Sequence, residues 1–194
     1  MKSMKYFIQV TLTTYVAAML VYALWSYITF QTLDKGWVGS LVYLPHGCRV
    51  VFYCFFGTRS LPALYLAEIT GPSLIYGDQY LQYWGFASIC SLASVVVAVE
   101  ILKWSRASSF SYSILKKINF ANYKFLILII IMSALFNSIF TNLVLGLMNN
   151  VDINATVIAR FFIGDVFGSL VFVLWLMIMF NMLKNKRFYP VHDD

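Results

Sequence analysis

Charge is what this chain has least of. Only 11% of its 194 residues are Asp, Glu, Lys or Arg, against about 25% in soluble domains. That excludes an ordinary water-soluble fold. Histidine is nearly absent as well: His46 and His192 lie far apart in the chain, which is not the ligand cluster that zinc needs. Cysteine is sparse. Cys48, Cys54 and Cys90 form no C-x-x-C pair and sit in apolar surroundings. They read as buried reduced thiols, not as a disulfide framework. No glycine-rich phosphate loop occurs. No metal, cofactor or nucleic acid is therefore expected.

What is abundant is apolar surface. The chain is 61% hydrophobic, with a mean hydropathy of +0.77. A helix needs about 20 apolar residues to cross the hydrocarbon core. The pattern predicts an all-α bundle of six transmembrane helices forming one membrane domain over 1–194. The spans are 6–30, 37–56, 61–76, 80–104, 125–148 and 155–182. The first run is too long for the apolar core of a signal peptide and lacks a small-x-small exit, so no cleaved signal is expected. The third span is short. Pro62 near its start and Gly71-Pro72 near its end predict irregular backbone at its outer end.

The basic residues flank these runs and set direction. With the N-terminus inside, Lys2, Lys5, Arg59, Lys103, Arg106, Lys116, Lys117, Lys124, Lys184, Lys186 and Arg187 all fall on one side. The opposite loops hold Lys35 with Asp34, Asp78 and Asp152. Both termini are thus expected in the cytoplasm, in a bacterial inner membrane. The serine-rich stretch 105–124 reads as an interfacial linker with a basic tip, and 183–194 as a basic tail. The lipid bilayer is the first partner, and acidic lipid suits the linker's lysines.

Four ionisable residues lie inside predicted spans: Arg49, Glu68, Arg160 and Asp165. Each costs roughly 2.5–3.5 kcal/mol on insertion scales, so such groups face the bundle interior and pair. The quartet sums to zero charge, and depth brings its members together. In the fifth span Ser133, Asn137 and Thr141 recur at i, i+4 and i+8 on one face, with Ser138 and Asn142 beside it. Ala87, Ser91, Ser94 and Ala98 make a small-residue stripe for close helix packing in the fourth span. Arg160, Gly164 and Gly168 align on one face of the sixth. His46 lies one turn before Arg49, with Gly47 between them. The candidate site is His46, Arg49, Glu68, Asn137, Arg160 and Asp165, as a binding site or a buried charge network. Gly47, Gly164 and Gly168 permit close packing around it. An outward-opening polar cavity is expected here. Its two arginines would suit a small anionic ligand, because guanidinium binds carboxylate or phosphate as a fork.

Enzyme chemistry is not expected. Ile163-Gly164-Asp165 matches half of an intramembrane aspartyl protease motif, but Phe162 replaces its first glycine and no second motif exists. His46 has no Gly-x-Ser sequence at similar depth.

Three stretches carry a family resemblance. Leu44-Pro45-His46-Gly47-Cys48-Arg49, Phe56-Gly57-Thr58-Arg59 and Pro62-Ala63-Leu64-Tyr65-Leu66-Ala67-Glu68 read as L-P-x-G-x-R, G-x-R and P-x-x-x-L-A-E. Arg160 to Gly168 reads as R-x-x-x-G-D-x-x-G. Together they resemble the membrane-associated sensor domain of the first MASE type, in the version found at the N-terminus of hexose-phosphate sensor histidine kinases. The resemblance implies a sensory membrane module that feeds a kinase, a cyclase or another cytoplasmic output. Its departures are six spans where the family often has eight, and no output domain after Lys184. Signalling would then run through a separate membrane protein or output partner. Two other classes stay open. One is a substrate-binding subunit of a transporter, similar in size to those of energy-coupling-factor importers, with Ala17, Ala18 and Ala23 as a docking face. The other is a structural subunit of a membrane complex.

Overall fold

The computed structural model describes residues 2–29, 40–76, 83–105, 120–149 and 152–188. Among the described residues six helices run in order: α1 Lys2–Thr29, α2 Leu44–Phe56, α3 Leu61–Tyr76, α4 Trp84–Trp104, α5 Phe120–Asn149 and α6 Ala155–Phe188. A 3-10 turn, Gly57–Ser60, joins α2 to α3. Five stretches are long and apolar enough to cross a membrane: Met4–Ile28, Leu44–Ser73, Trp84–Trp104, Lys124–Asn149 and Ala155–Met182. This is the architecture of a multi-pass membrane protein.

The second stretch holds both α2 and α3, and it is not one straight helix. At about 1.5 Å per residue a straight helix would hold Arg49 and Glu68 about 28 Å apart. Arg49 Nε lies 2.9 Å from Glu68 Oε1, so the chain turns back on itself. Gly57 makes the turn. Its φ of 62° lies in the left-handed region, which costs glycine little. Ser60 Oγ donates to the Gly57 carbonyl at 2.8 Å and ties the turn off.

Contacts order the helices. Trp25 Nε1 donates to the Val42 carbonyl at 2.7 Å, while the Arg59 guanidinium lies 5.2 Å from the Tyr6 ring centre. Early α1 thus meets the end of α2, and late α1 meets its start, so the two are antiparallel. Tyr15 bonds Thr70 at 3.1 Å, placing α3 beside α1. The α2 helix packs on α6, α4 on α5, and α5 on α6. One apolar cluster joins Val21, Trp25, Cys48, Leu64 and Phe172. A second joins Val50, Tyr53, Val95, Val99 and Ile129.

Several boundaries differ from expectation. The second helix starts at Leu44 and not at Trp37; residues 40–43 are non-helical, and 37–39 lie outside the described residues. Pro45 fits this start: it sits in the first turn, where its missing N–H would have no partner within the helix anyway. The fourth helix starts at Trp84, where 80 was expected. Tyr83 has a φ of 62° and cannot continue a right-handed helix upstream. The fifth begins at Phe120, so the end of the predicted linker is helical; 106–119 lie outside the described residues. The sixth runs on to Phe188, into the predicted tail.

The C-terminal end of α3, expected to be irregular, is helical: the helix passes through Pro72 to Tyr76. Proline has no N–H, so it leaves the carbonyl four residues earlier without its helical partner. That carbonyl belongs to Glu68. Trp84 Nε1 donates to it at 2.9 Å. An indole from the next helix thus supplies the missing donor.

Candidate functional site

The ionic core draws its side chains from α2, α3, α5 and α6. Five of the six predicted site residues are nearly inaccessible: His46, Arg49, Glu68, Asn137 and Asp165 are 0–3% exposed. They form two adjoining groups.

The first is the Arg49–Glu68 pair. Its two side chains are 2% and 3% exposed, so it is a fully desolvated ion pair. Aromatic groups enclose it. The Arg49 guanidinium lies 5.4 Å from the Tyr43 ring centre, over its face, where the ring quadrupole attracts a cation. Tyr22 and Tyr43 hydroxyls bond each other at 2.9 Å. Trp25 meets Tyr43 edge-on at 5.0 Å between ring centres. These tyrosines were not among the expected site residues. Tyr43 lies outside the periodic part of the span, and periodicity was the signal in use.

The second group centres on Asp165. Asn137 Nδ2 donates to Asp165 Oδ2 at 2.6 Å, and Thr141 Oγ1 donates to Asn137 Oδ1 at 2.7 Å. The polar face of α5 read from the sequence is therefore the face that meets α6. His46 stands between the helices, with Nδ1 3.6 Å from Asp165 Oδ2 and Nε2 3.0 Å from Ser133 Oγ. Ser133, His46 and Asp165 stand in the order of a serine-hydrolase triad, but Ser133 Oγ donates to the Ile130 carbonyl at 3.2 Å. All three residues are buried, at 0–1% exposed.

Arg160 does not join either group. It makes no ion pair with Glu68 or Asp165; its Nε is buried and has no hydrogen-bond partner among the described residues. Helix geometry explains this. Five residues of helix turn through about 140°, so Arg160 and Asp165 face different directions. Within the quartet the ion pair is Arg49 with Glu68.

The three glycines work by close approach. A Cβ on Gly164 would strike the Ser40 carbonyl oxygen, and one on Gly168 would strike the Tyr43 backbone. A Cβ on Gly47 would lie 2.7 Å from Ser169 Cα. The glycine face of α6 thus receives the non-helical segment 40–43, and Tyr43 N donates to the Gly164 carbonyl at 2.9 Å. The backbone of this segment packs on α6, while Leu41 and Val42 stay exposed at 53% and 38%. The expected open cavity is filled by this packing. A crevice beside Tyr22, Cys48, Arg49, Leu64 and Glu68 does not admit a water molecule. Among the described residues no three His, Cys, Asp or Glu side chains converge as metal ligands.

Chemically, the arrangement stores charge inside an apolar bundle and links four helices through it. No family model, no curated protein and no solved structure matches this chain.

Proposed function

We propose that this protein is a sensory or regulatory subunit of the bacterial inner membrane that crosses it six times with both termini in the cytoplasm. It passes its state to a separate protein. The observation that carries this reading is the buried network itself. A bundle held by apolar packing alone would avoid the desolvation penalty of Arg49, Glu68 and Asp165, since replacing a buried ion pair by well-packed hydrophobic residues is often neutral or stabilising. Ionisable groups at this depth are typical of sites that respond to something. The network joins α2 and α3 to α5 and α6, so a change at one member alters helix contacts across the bundle. The motif resemblance to MASE-type sensor domains supports the same reading.

Six crossings are supported by the α2–α3 hairpin. At about 1.5 Å per residue, α2, with 13 residues, covers about 20 Å of a core roughly 30 Å thick. The non-helical segment 40–43 adds to this reach at up to roughly 3.3 Å per residue. Arg160 is the cation that would meet a small anionic ligand: it is half-buried, and its Nε has no hydrogen-bond partner among the described residues.

The test is purification from native membrane into nanodiscs, followed by mass spectrometry of what travels with the protein. A stoichiometric protein with a kinase, cyclase or regulator domain is the expected result. An ATPase pair would replace this reading with a transport one. Lipid alone would leave a scaffold. The scaffold reading has one observation in its favour, the closed packing around the ionic core. Arg160→Gln separates the two: it should abolish output with thermal stability unchanged, whereas a scaffold has no output to lose.

A further inference from the structure

We infer that Arg160 binds the phosphate of a glycerophospholipid, and that an acyl chain of this lipid lies along the exposed apolar face of α6 beneath it. The inference names the anion at Arg160, and it rests on the six-crossing reading, which puts the start of α6 at the outer face.

Arg160 is placed for a headgroup. At about 1.5 Å per residue it lies about 7.5 Å into α6 from Ala155. Helical side chains lean toward the N-terminus of their helix, here the outer membrane surface. Its Nε is sealed from solvent and has no hydrogen-bond partner among the described residues, while the residue as a whole is only half-buried. The stem is packed and the tip can reach the interface, as arginines near helix ends do. Thr156, one turn nearer the surface on the same face, is exposed and offers a hydroxyl beside the guanidinium. Asp165, the acid on this helix, is engaged by Asn137 at 2.6 Å and does not compete for the cation.

Below Arg160 the same face is apolar and open. At about 100° per residue, Ile163, Phe167 and Val171 all lie within about 60° of Arg160 around the helix. They are 40%, 56% and 46% exposed. From Arg160 to Val171 the helix rises about 16 Å, one leaflet of a hydrocarbon core roughly 30 Å thick. A second apolar surface adjoins this ridge. Segment 40–43 lies against Gly164 and Gly168, and its Leu41 and Val42 are exposed. A cation at the outer end and one leaflet's depth of apolar surface beneath it repeat the order of groups in a phospholipid. A guanidinium takes phosphate as a fork. A free phosphate would use Arg160 but leave the apolar face without a role, so the lipid is the better fit.

The test is native mass spectrometry of the full chain, delipidated in phosphate-free detergent. It is titrated with dioleoyl phosphatidylglycerol, with a dioleoyl galactolipid that has the same chains but no phosphate, and with inorganic phosphate. The tightest site should take the phospholipid, with the galactolipid weaker by about tenfold or more, the scale of a lost charge-assisted hydrogen bond. Arg160→Gln should weaken phospholipid binding by a similar factor with the melting temperature unchanged, and Arg160→Lys should restore part of it. Phe167→Ala alters only an exposed side chain and should also weaken binding, with Arg160 intact; it decides the matter if Arg160→Gln does not fold. Equal binding of the two lipids would overturn the inference. So would displacement of the lipid by inorganic phosphate, or unchanged phospholipid binding in Arg160→Gln or Phe167→Ala. The sensor reading fails separately, on the absence of a protein partner, and that outcome leaves lipid binding untouched.

Discussion

The indole of Trp84 donates to the backbone carbonyl of Glu68 at 2.9 Å, the carbonyl that Pro72 deprives of its helical amide. A break in the α3 hydrogen-bond ladder is thus closed by the first residue of α4. The same residue that carries the buried acid is held through its backbone as well as its side chain.

Trp84→Phe keeps the ring and removes the donor. Leaving a buried acceptor unsatisfied costs about 1–3 kcal/mol, so thermal unfolding in detergent should shift downward. Pro72→Ala restores an N–H to the helix at the right place. The double variant Pro72→Ala, Trp84→Phe should therefore recover most of the loss. Equal losses in the single Trp84→Phe and the double variant would show that the indole acts through packing alone.

The Arg49–Glu68 pair predicts a non-additive pattern. Removing one partner leaves a buried charge alone and costs about 3–5 kcal/mol. Arg49→Leu and Glu68→Leu should each lower yield and melting temperature sharply. Arg49→Leu, Glu68→Leu together should be milder than either, because no charge is left behind. Additive losses, measured by thermal denaturation, would mean the two side chains act independently.

The glycine face gives a graded series. Gly164→Ala and Gly168→Ala place a methyl on the backbone of segment 40–43, so their cost should reach or exceed the roughly 1–3 kcal/mol typical of overpacking. Gly85→Ala is the control. Its Cβ would meet only the Tyr65 hydroxyl at 3.3 Å, at the end of a side chain that can give way. Unfolding of all three in one detergent orders them; a Gly164→Ala protein as stable as Gly85→Ala would rule out the close approach.

Six crossings predict where single cysteines react. In a background with Cys48, Cys54 and Cys90 replaced by alanine or serine, Asp152→Cys should label with a membrane-impermeant maleimide from outside intact cells. Thr58→Cys, in the turn between α2 and α3, should label only after permeabilisation. Outside labelling at Thr58 would place the hairpin turn on the wrong face.

Much of this was legible in the chain. Low charge and long apolar runs require helices in a bilayer, because a backbone in hydrocarbon must satisfy its own hydrogen bonds. The spacing of Ser133, Asn137 and Thr141 placed them on one face, and buried charge at Arg49, Glu68 and Asp165 followed from cost alone. These are local properties: they depend on period and composition, which a single helix carries by itself. Partnership is not local. That Arg49 takes Glu68, that Arg160 stands apart, and that Asp165 meets Asn137 and His46 depend on which helices become neighbours and at what rotation. The filled cavity is the plainest case. Gly164 and Gly168 read equally well as room for a ligand or for the chain itself, and only the packed bundle shows segment 40–43 lying there. Pro72 marked a vacant carbonyl at Glu68 within the sequence, but not that Trp84, sixteen residues on in the chain, would fill it. Tertiary structure decided these points because each is a contact between distant segments, chosen by the packing of all six helices together.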